Sequence, residues 1–197
     1  MTSSENVTKA VFRAMSDTFE GMAFMQISRL EDESPDTTAD DMIWSRVDVK
    51  APAPGFMAIA YTREVGVRIV ESLYGMLDEP CSQEMLQDSL NEIVNTVIGR
   101  CMSLLVPAGQ TFELGLPKTG EGWPDFEGAE IHGFSTMDGG QLLAFTDLGD
   151  LDLLDGPLEV EGFGGKSSDG DEWGDSGDSD DAWGASGSQD SSDDGWG

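Results

Sequence analysis

Glu92 and Asn95 lie three residues apart in Asp88-Ser-Leu-Asn-Glu-Ile-Val-Asn-Thr-Val-Ile-Gly99, so in a helix a carboxylate and a carboxamide emerge one turn apart on the same side. At about 100° per residue, Asp88, Glu92, Asn95 and Gly99 fall within an arc of roughly 60°. A carboxamide donates and accepts hydrogen bonds at once and stays neutral at any working pH, so it can orient a water molecule; the carboxylate beside it only accepts. Every amphipathic helix has a polar face, but this one carries costs. Asn91 and Asn95 in mid-helix cost a few tenths of a kcal/mol each relative to Ala, and Gly99 costs about 1 kcal/mol. Gly99 would also let another surface approach closely. The row reads as a helix face offered to a partner, with Asp88, Asn91 and Gly99 as docking residues around Glu92 and Asn95.

The elements that must position this row are legible on either side of it. Leu86, Leu90, Ile93, Val97, Cys101 and Leu104 occupy the opposite side of the same helix, which is therefore buried along one face. Ser82 suits its N-cap, and Pro107 and Gly109 stop it. Upstream, residues 7–20 form an amphipathic helix that Gly21 can end, 22–28 have a strand-like texture, and 31–41 are an exposed Pro- and acid-rich loop. Residues 42–49 and 56–61 are two strands around the turn Pro52-Ala-Pro54-Gly55, with Ile43, Val47 and Val49 in the core. A helix over 63–76 has Gly75 as a left-handed cap near its end. Strands follow at 111–116, 129–136 and 141–146, the last two joined by the hairpin turn Met137-Asp-Gly-Gly140. The order predicts an α+β layered domain over residues 1–161, its helices packed on an antiparallel sheet. An exposed edge strand permits that sheet to continue across a two-fold homodimer.

Residues 162–197 are different in kind. They contain one basic residue, Lys166, and no Ile, Val, Leu or Met, so nothing there repays the entropy of ordering and a disordered acidic tail is expected. Trp173, Trp183 and Trp196 stand among its aspartates. Each has the form of an aromatic anchor with a steering carboxylate, for a partner the sequence does not name.

Ten Lys and Arg against 39 Asp and Glu give a formal charge of -29, which repels phosphate backbones and excludes nucleic acid as a natural ligand. Cys81 and Cys101 are the only cysteines, too few for a disulfide framework and not spaced as metal ligands, which fits a reducing cytoplasmic setting. No basic start followed by an apolar run marks a secretory signal, and no apolar stretch approaches the ~18 residues of a membrane span. The chain has one histidine, His132, read as a half-buried structural residue, and Cys101 as a small core residue. Met22, Met25 and Met102 fill core gaps. Trp123 and Pro124 either make an exposed contact or fold back over the sheet. No Cys-His pairing, Gly-rich phosphate loop or carboxylate cluster stands out, so neither a metal site nor a cofactor of the chain's own is expected.

The motif Asp88-x-x-x-Glu92-x-x-Asn95 resembles the active-site helix of the CheC/CheX/FliY family of chemotaxis phosphatases, and the single copy is most similar to CheX-type domains. Val11-Phe12-Arg-Ala-Met15, the run Phe19-Glu-Gly-Met-Ala-Phe24 and the order of elements extend the resemblance over residues 5–148. It implies a phosphatase acting on the aspartyl phosphate of a response-regulator receiver domain. Asn95 would hold the attacking water, Glu92 would pair with a lysine of the receiver, and Asp88 would help docking. The magnesium ion of such a reaction would belong to the receiver. A reading from another class is a non-catalytic scaffold that keeps the fold and recruits partners through the tryptophans of its tail.

Overall fold

Strict alternation along two neighbouring strands builds a sheet with both faces covered. The computed structural model describes residues 3–30, 41–75, 80–148 and 158–160. The chain divides into two units, Met1–Gly164 and Gly165–Gly197, and the described residues all belong to the first. The loop read over 31–41, except Asp41, and the tail with Trp173, Trp183 and Trp196 lie outside the described residues. The elements run α1 (Ser3–Ala23), β1 (Ile27–Arg29), β2 (Met42–Ala51), β3 (Gly55–Thr62), α2 (Arg63–Tyr74), α3 (Gln83–Leu105), β4 (Glu113–Leu114), β5 (Lys118–Glu121), β6 (Glu130–Thr136) and β7 (Gln141–Asp147).

Among the described residues, three helices pack on a seven-stranded antiparallel sheet of order β1-β6-β7-β3-β2-β4, with β5 also on β2. On β2 and β3, Ile43, Val47, Val49, Met57, Ile59 and Tyr61 point to the helices and join one core with Phe19, Leu90 and Val97. Their neighbours Met42, Phe56, Ala58 and Ala60 point the other way, into a second cluster with Leu143 and Phe145. That face is closed by the segment after β5. Trp123 meets Phe145 edge-on at 6.1 Å between ring centroids, and Phe126 packs on Trp44, Phe56 and Phe145. Trp123 thus folds back over the sheet.

The helices have their expected signals at most ends. Thr62 caps α2, and Gly75 closes it at φ 85°, a conformation that favours glycine. α1 departs from expectation. It runs through Gly21 to Ala23, so the strand texture after it reduces to Ile27–Arg29. Burial of Ala23, together with the Ser72 hydroxyl donating to the Ala23 carbonyl, offsets the roughly 1 kcal/mol of a mid-helix glycine. Phe24 takes the positive φ of 51° where Gly21 was expected to end the helix, and the Met25 amide donates to the Phe19 carbonyl at 3.0 Å. β5 was not legible in Lys-Thr-Gly-Glu, which has no alternation. It forms because the Trp44 ring covers Gly120, where a Cβ would come within 2.1 Å of the indole, and because Lys118 pairs with Asp48.

His132 is 7 % exposed and lies 3.0 Å from the Thr146 hydroxyl through Nε2. Burial holds its pKa below the usual imidazole value, against the pull of Glu130. Below about pH 6.5 the unfolded chain therefore takes up a proton that the folded chain refuses until its lower pKa is reached, so stability is lost as pH falls through that window. His132→Gln is expected to flatten the slope of Tm against pH below about 6.5; an unchanged slope contradicts this. Asp48 acts in a separate window. Its hydrogen bond with Lys118 leads the causes that lower its pKa, so its contribution is present above about pH 4 and lost as pH falls through the folded value.

Candidate functional site

α3 starts where the Ser82 hydroxyl accepts from the Met85 amide at 3.2 Å and ends where the Val106 amide donates to the Met102 carbonyl at 2.8 Å. Ten of its side chains are buried, from Leu86 to Leu105, because α1, α2 and the strands β2 and β3 all pack against it. Burial thus exceeds the single stripe read from the sequence and adds Val94, Ile98 and Met102. Leu104, expected in that stripe, is only half-buried. A helix held on several sides presents what remains exposed with little freedom to rotate.

The polar row lies on the part that remains exposed. Asp88, Glu92 and Asn95 are exposed, Gly99 is half-buried, and the side chains of Asp88, Glu92 and Asn95 have no hydrogen-bond or ion-pair partner among the described residues. Asn91 is used differently. Its Oδ1 accepts from the fully buried Ser45 hydroxyl of β2 at 2.7 Å, a bond that repays its low helix propensity and fixes the rotation of α3 over the sheet. The Thr96 hydroxyl donates back to the Glu92 carbonyl at 2.9 Å and the Ser103 hydroxyl to the Gly99 carbonyl at 2.8 Å. Both hydroxyls are thereby turned toward their own helix.

Among the described residues, a Cβ at Gly99 would meet nothing within 4 Å, unlike Gly66, where it would come within 2.9 Å of the Tyr61 ring. The fold needs Gly66 and does not need Gly99. Gly99→Ala is expected to stabilise the chain by about 0.5–1 kcal/mol, seen as a higher denaturant midpoint. A lower midpoint contradicts the open space around it.

Beside the row, between α1 and α3, lies a groove of about 580 Å³ with Asn95 on its rim. Arg13 and Asp17 of α1 line it, paired at 2.9 Å, and so do Thr96, Arg100 and Leu104 of α3. The sequence carries no signal for this feature: the i,i+4 spacing of Arg13 and Asp17 foretells their ion pair and not a groove. The chemistry the site offers is that of hydrogen-bonding groups on a rigid surface. Among the described residues, no three His, Cys, Asp or Glu side chains gather to hold a metal ion, and no helix is long and apolar enough to cross a membrane.

The family model described as chemotaxis phosphatase CheX matches residues 43–123, a stretch that includes all of α3. A sequence comparison with curated proteins finds no match. Among solved structures, the fold is similar to the chemotaxis protein CheX from Vibrio vulnificus, with 19 % identity and a TM-score of 0.59 over 74 % of this chain and 97 % of that one. CheX from Desulfovibrio desulfuricans is similar at 17 % identity and TM-score 0.59, over 72 % of this chain and 97 % of that one. A chain of the CheX–CheY–BeF3–Mg2+ complex from Borrelia burgdorferi is similar at 16 % identity and TM-score 0.53, over 70 % of this chain and 94 % of that one. These likenesses show the fold. Together with the family model, they match the CheX-type resemblance carried by Asp88, Glu92 and Asn95.

Proposed function

We propose that this CheX-like chain is a phosphatase for the aspartyl phosphate of a response-regulator receiver domain, and that it works by lending α3 to the partner's phosphorylation site. The observation that carries the reading is the state of Glu92 and Asn95. Both are exposed, both lack a partner among the described residues, and both emerge from the helix that the family model covers.

An aspartyl phosphate is an activated acyl phosphate, so its hydrolysis needs no protein nucleophile; the rate depends on a water held in line with the phosphorus–oxygen bond to be broken. The Asn95 carboxamide accepts a hydrogen bond from that water through Oδ1 and can donate from Nδ2 to an oxygen of the phosphoryl group. Water attacks phosphorus, the aspartate carboxylate leaves, and inorganic phosphate and the free receiver are the products. Glu92 receives a lysine ammonium of the receiver in a charge-assisted contact, which anchors α3 and fixes its register. Asp88 adds a docking charge on the same arc. Magnesium on the receiver, when bound, offsets the charge of the phosphoryl oxygens. Neutralisation of that kind is consistent with an acidic protein approaching an acidic site.

The Borrelia burgdorferi CheX, similar in fold, was solved in complex with CheY, BeF3 and Mg2+, which supports this choice of partner class. The direct test is to time the loss of label from phosphorylated receivers with and without the protein. Gly99→Ala provides a second test, because the added methyl group lies on the docking face. Its kcat/KM is expected to fall several-fold while stability rises. A rise in both identifies Gly99 as a residue the helix merely tolerates.

A further inference from the structure

We propose that the groove between α1 and α3 is a second docking subsite for the same receiver domain, one that takes an apolar side chain flanked by a carboxylate and so selects which receiver is served. The inference rests on the phosphatase reading and adds to it the surface that sets specificity.

The groove is contiguous with the proposed reaction centre, since Asn95 forms part of both. Its lining is more apolar than its residue types suggest. Thr96 has its hydroxyl committed to the Glu92 carbonyl, which leaves its methyl group for the groove, and Leu104 adds a half-buried aliphatic side chain. The charges differ from those of the chain as a whole. In a protein of formal charge -29, two of its ten basic residues, Arg13 and Arg100, line this groove. Arg13 is engaged by Asp17, whereas Arg100 is exposed and has no ion-pair partner among the described residues. An unpaired guanidinium beside an apolar trough favours an apolar anchor with an acidic neighbour. A receiver approaching Asn95 brings the acidic part of such a surface, because the phosphoryl group is carried on an aspartate. With Glu92 taking the lysine and Arg100 the acidic flank, the two contacts are of opposite sign and fix the orientation of the partner about α3.

The test measures kcat and KM separately on a receiver that the parent protein dephosphorylates, for Arg100→Glu, Arg100→Lys and Leu104→Ala. Arg100→Glu is expected to raise KM on the order of tenfold and to make it less sensitive to salt, with kcat near the parent value. Arg100→Lys should recover most of the affinity, and Leu104→Ala should raise KM several-fold without loss of the folded state. Unchanged KM in Arg100→Glu and Leu104→Ala, with an active parent, overturns the subsite and leaves the phosphatase reading standing. A change in oligomeric state in place of KM also overturns it, since the groove would then hold a second copy of the chain. A parent inactive on every receiver tried removes the phosphatase reading, and the subsite with it.

Discussion

Asn95→Ala is expected to reduce the acceleration of aspartyl-phosphate loss by about a hundredfold or more, because misplacing the attacking water removes the positioning on which the rate depends. The fold should not notice. The side chain is exposed and has no partner among the described residues, and alanine is the better helix former, so the change in stability should stay within about 0.5 kcal/mol. Thermal melts alongside the kinetics separate the two effects. A variant as active as the parent contradicts the role given to Asn95, whereas a variant that melts much earlier contradicts the exposed placement. Asn91→Ala is expected to behave in the opposite way, since its carboxamide is spent on Ser45 and its loss leaves a buried hydroxyl without that partner.

Glu92→Lys is expected to cause the second-largest loss, about a hundredfold in kcat/KM, because it replaces an attraction to a receiver lysine with a repulsion at the point that sets register. The expected signature is a joint change in KM and kcat, since a shifted helix no longer aligns Asn95. Glu92→Gln keeps shape and loses charge, and should fall between parent and Glu92→Lys. Asp88→Asn is the control. It removes a carboxylate from the same arc without touching the anchoring contact, so its effect should be small and should fade with added salt. If Glu92→Lys and Asp88→Asn behave alike, Glu92 contributes only to the general field of the surface.

The parts of the fold that could be read in advance are those in which local chemistry and long-range packing agree. Ser82 before an amphipathic run, Pro107 after it, and the turn Met137-Asp-Gly-Gly140 between two apolar runs each specify one outcome, and α3 and the β6–β7 hairpin follow. The strands β2 and β3 were likewise visible as apolar stretches on either side of the turn Pro52-Ala-Pro54-Gly55. The parts that could not be read depend on residues far apart in sequence. β5 exists because Trp44 covers Gly120, and α1 runs past Gly21 because Ala23 finds a buried place near α2. The closing of the second sheet face by Trp123 and Phe126 is of the same kind.

At the site, the arc of Asp88, Glu92, Asn95 and Gly99 was legible because a helix turns residue number into direction. The role of Asn91 was not, since a polar residue beside a partner-facing row looks the same whether it meets solvent or a buried serine on a strand 46 residues away. The groove was equally hidden. It is made by two helices far apart in sequence, and nothing in α3 alone marks Arg100 as a residue with something to meet.

Whether Asn95 positions the attacking water is decided by comparing the parent and Asn95→Ala on one phosphorylated receiver, with binding to the beryllofluoride-loaded receiver measured in parallel. Both proteins are expected to bind with similar affinity while only the parent speeds the loss of the phosphoryl group. Equal rates for the two proteins, or no acceleration by the parent in a mixture where it is shown to bind, would contradict that role.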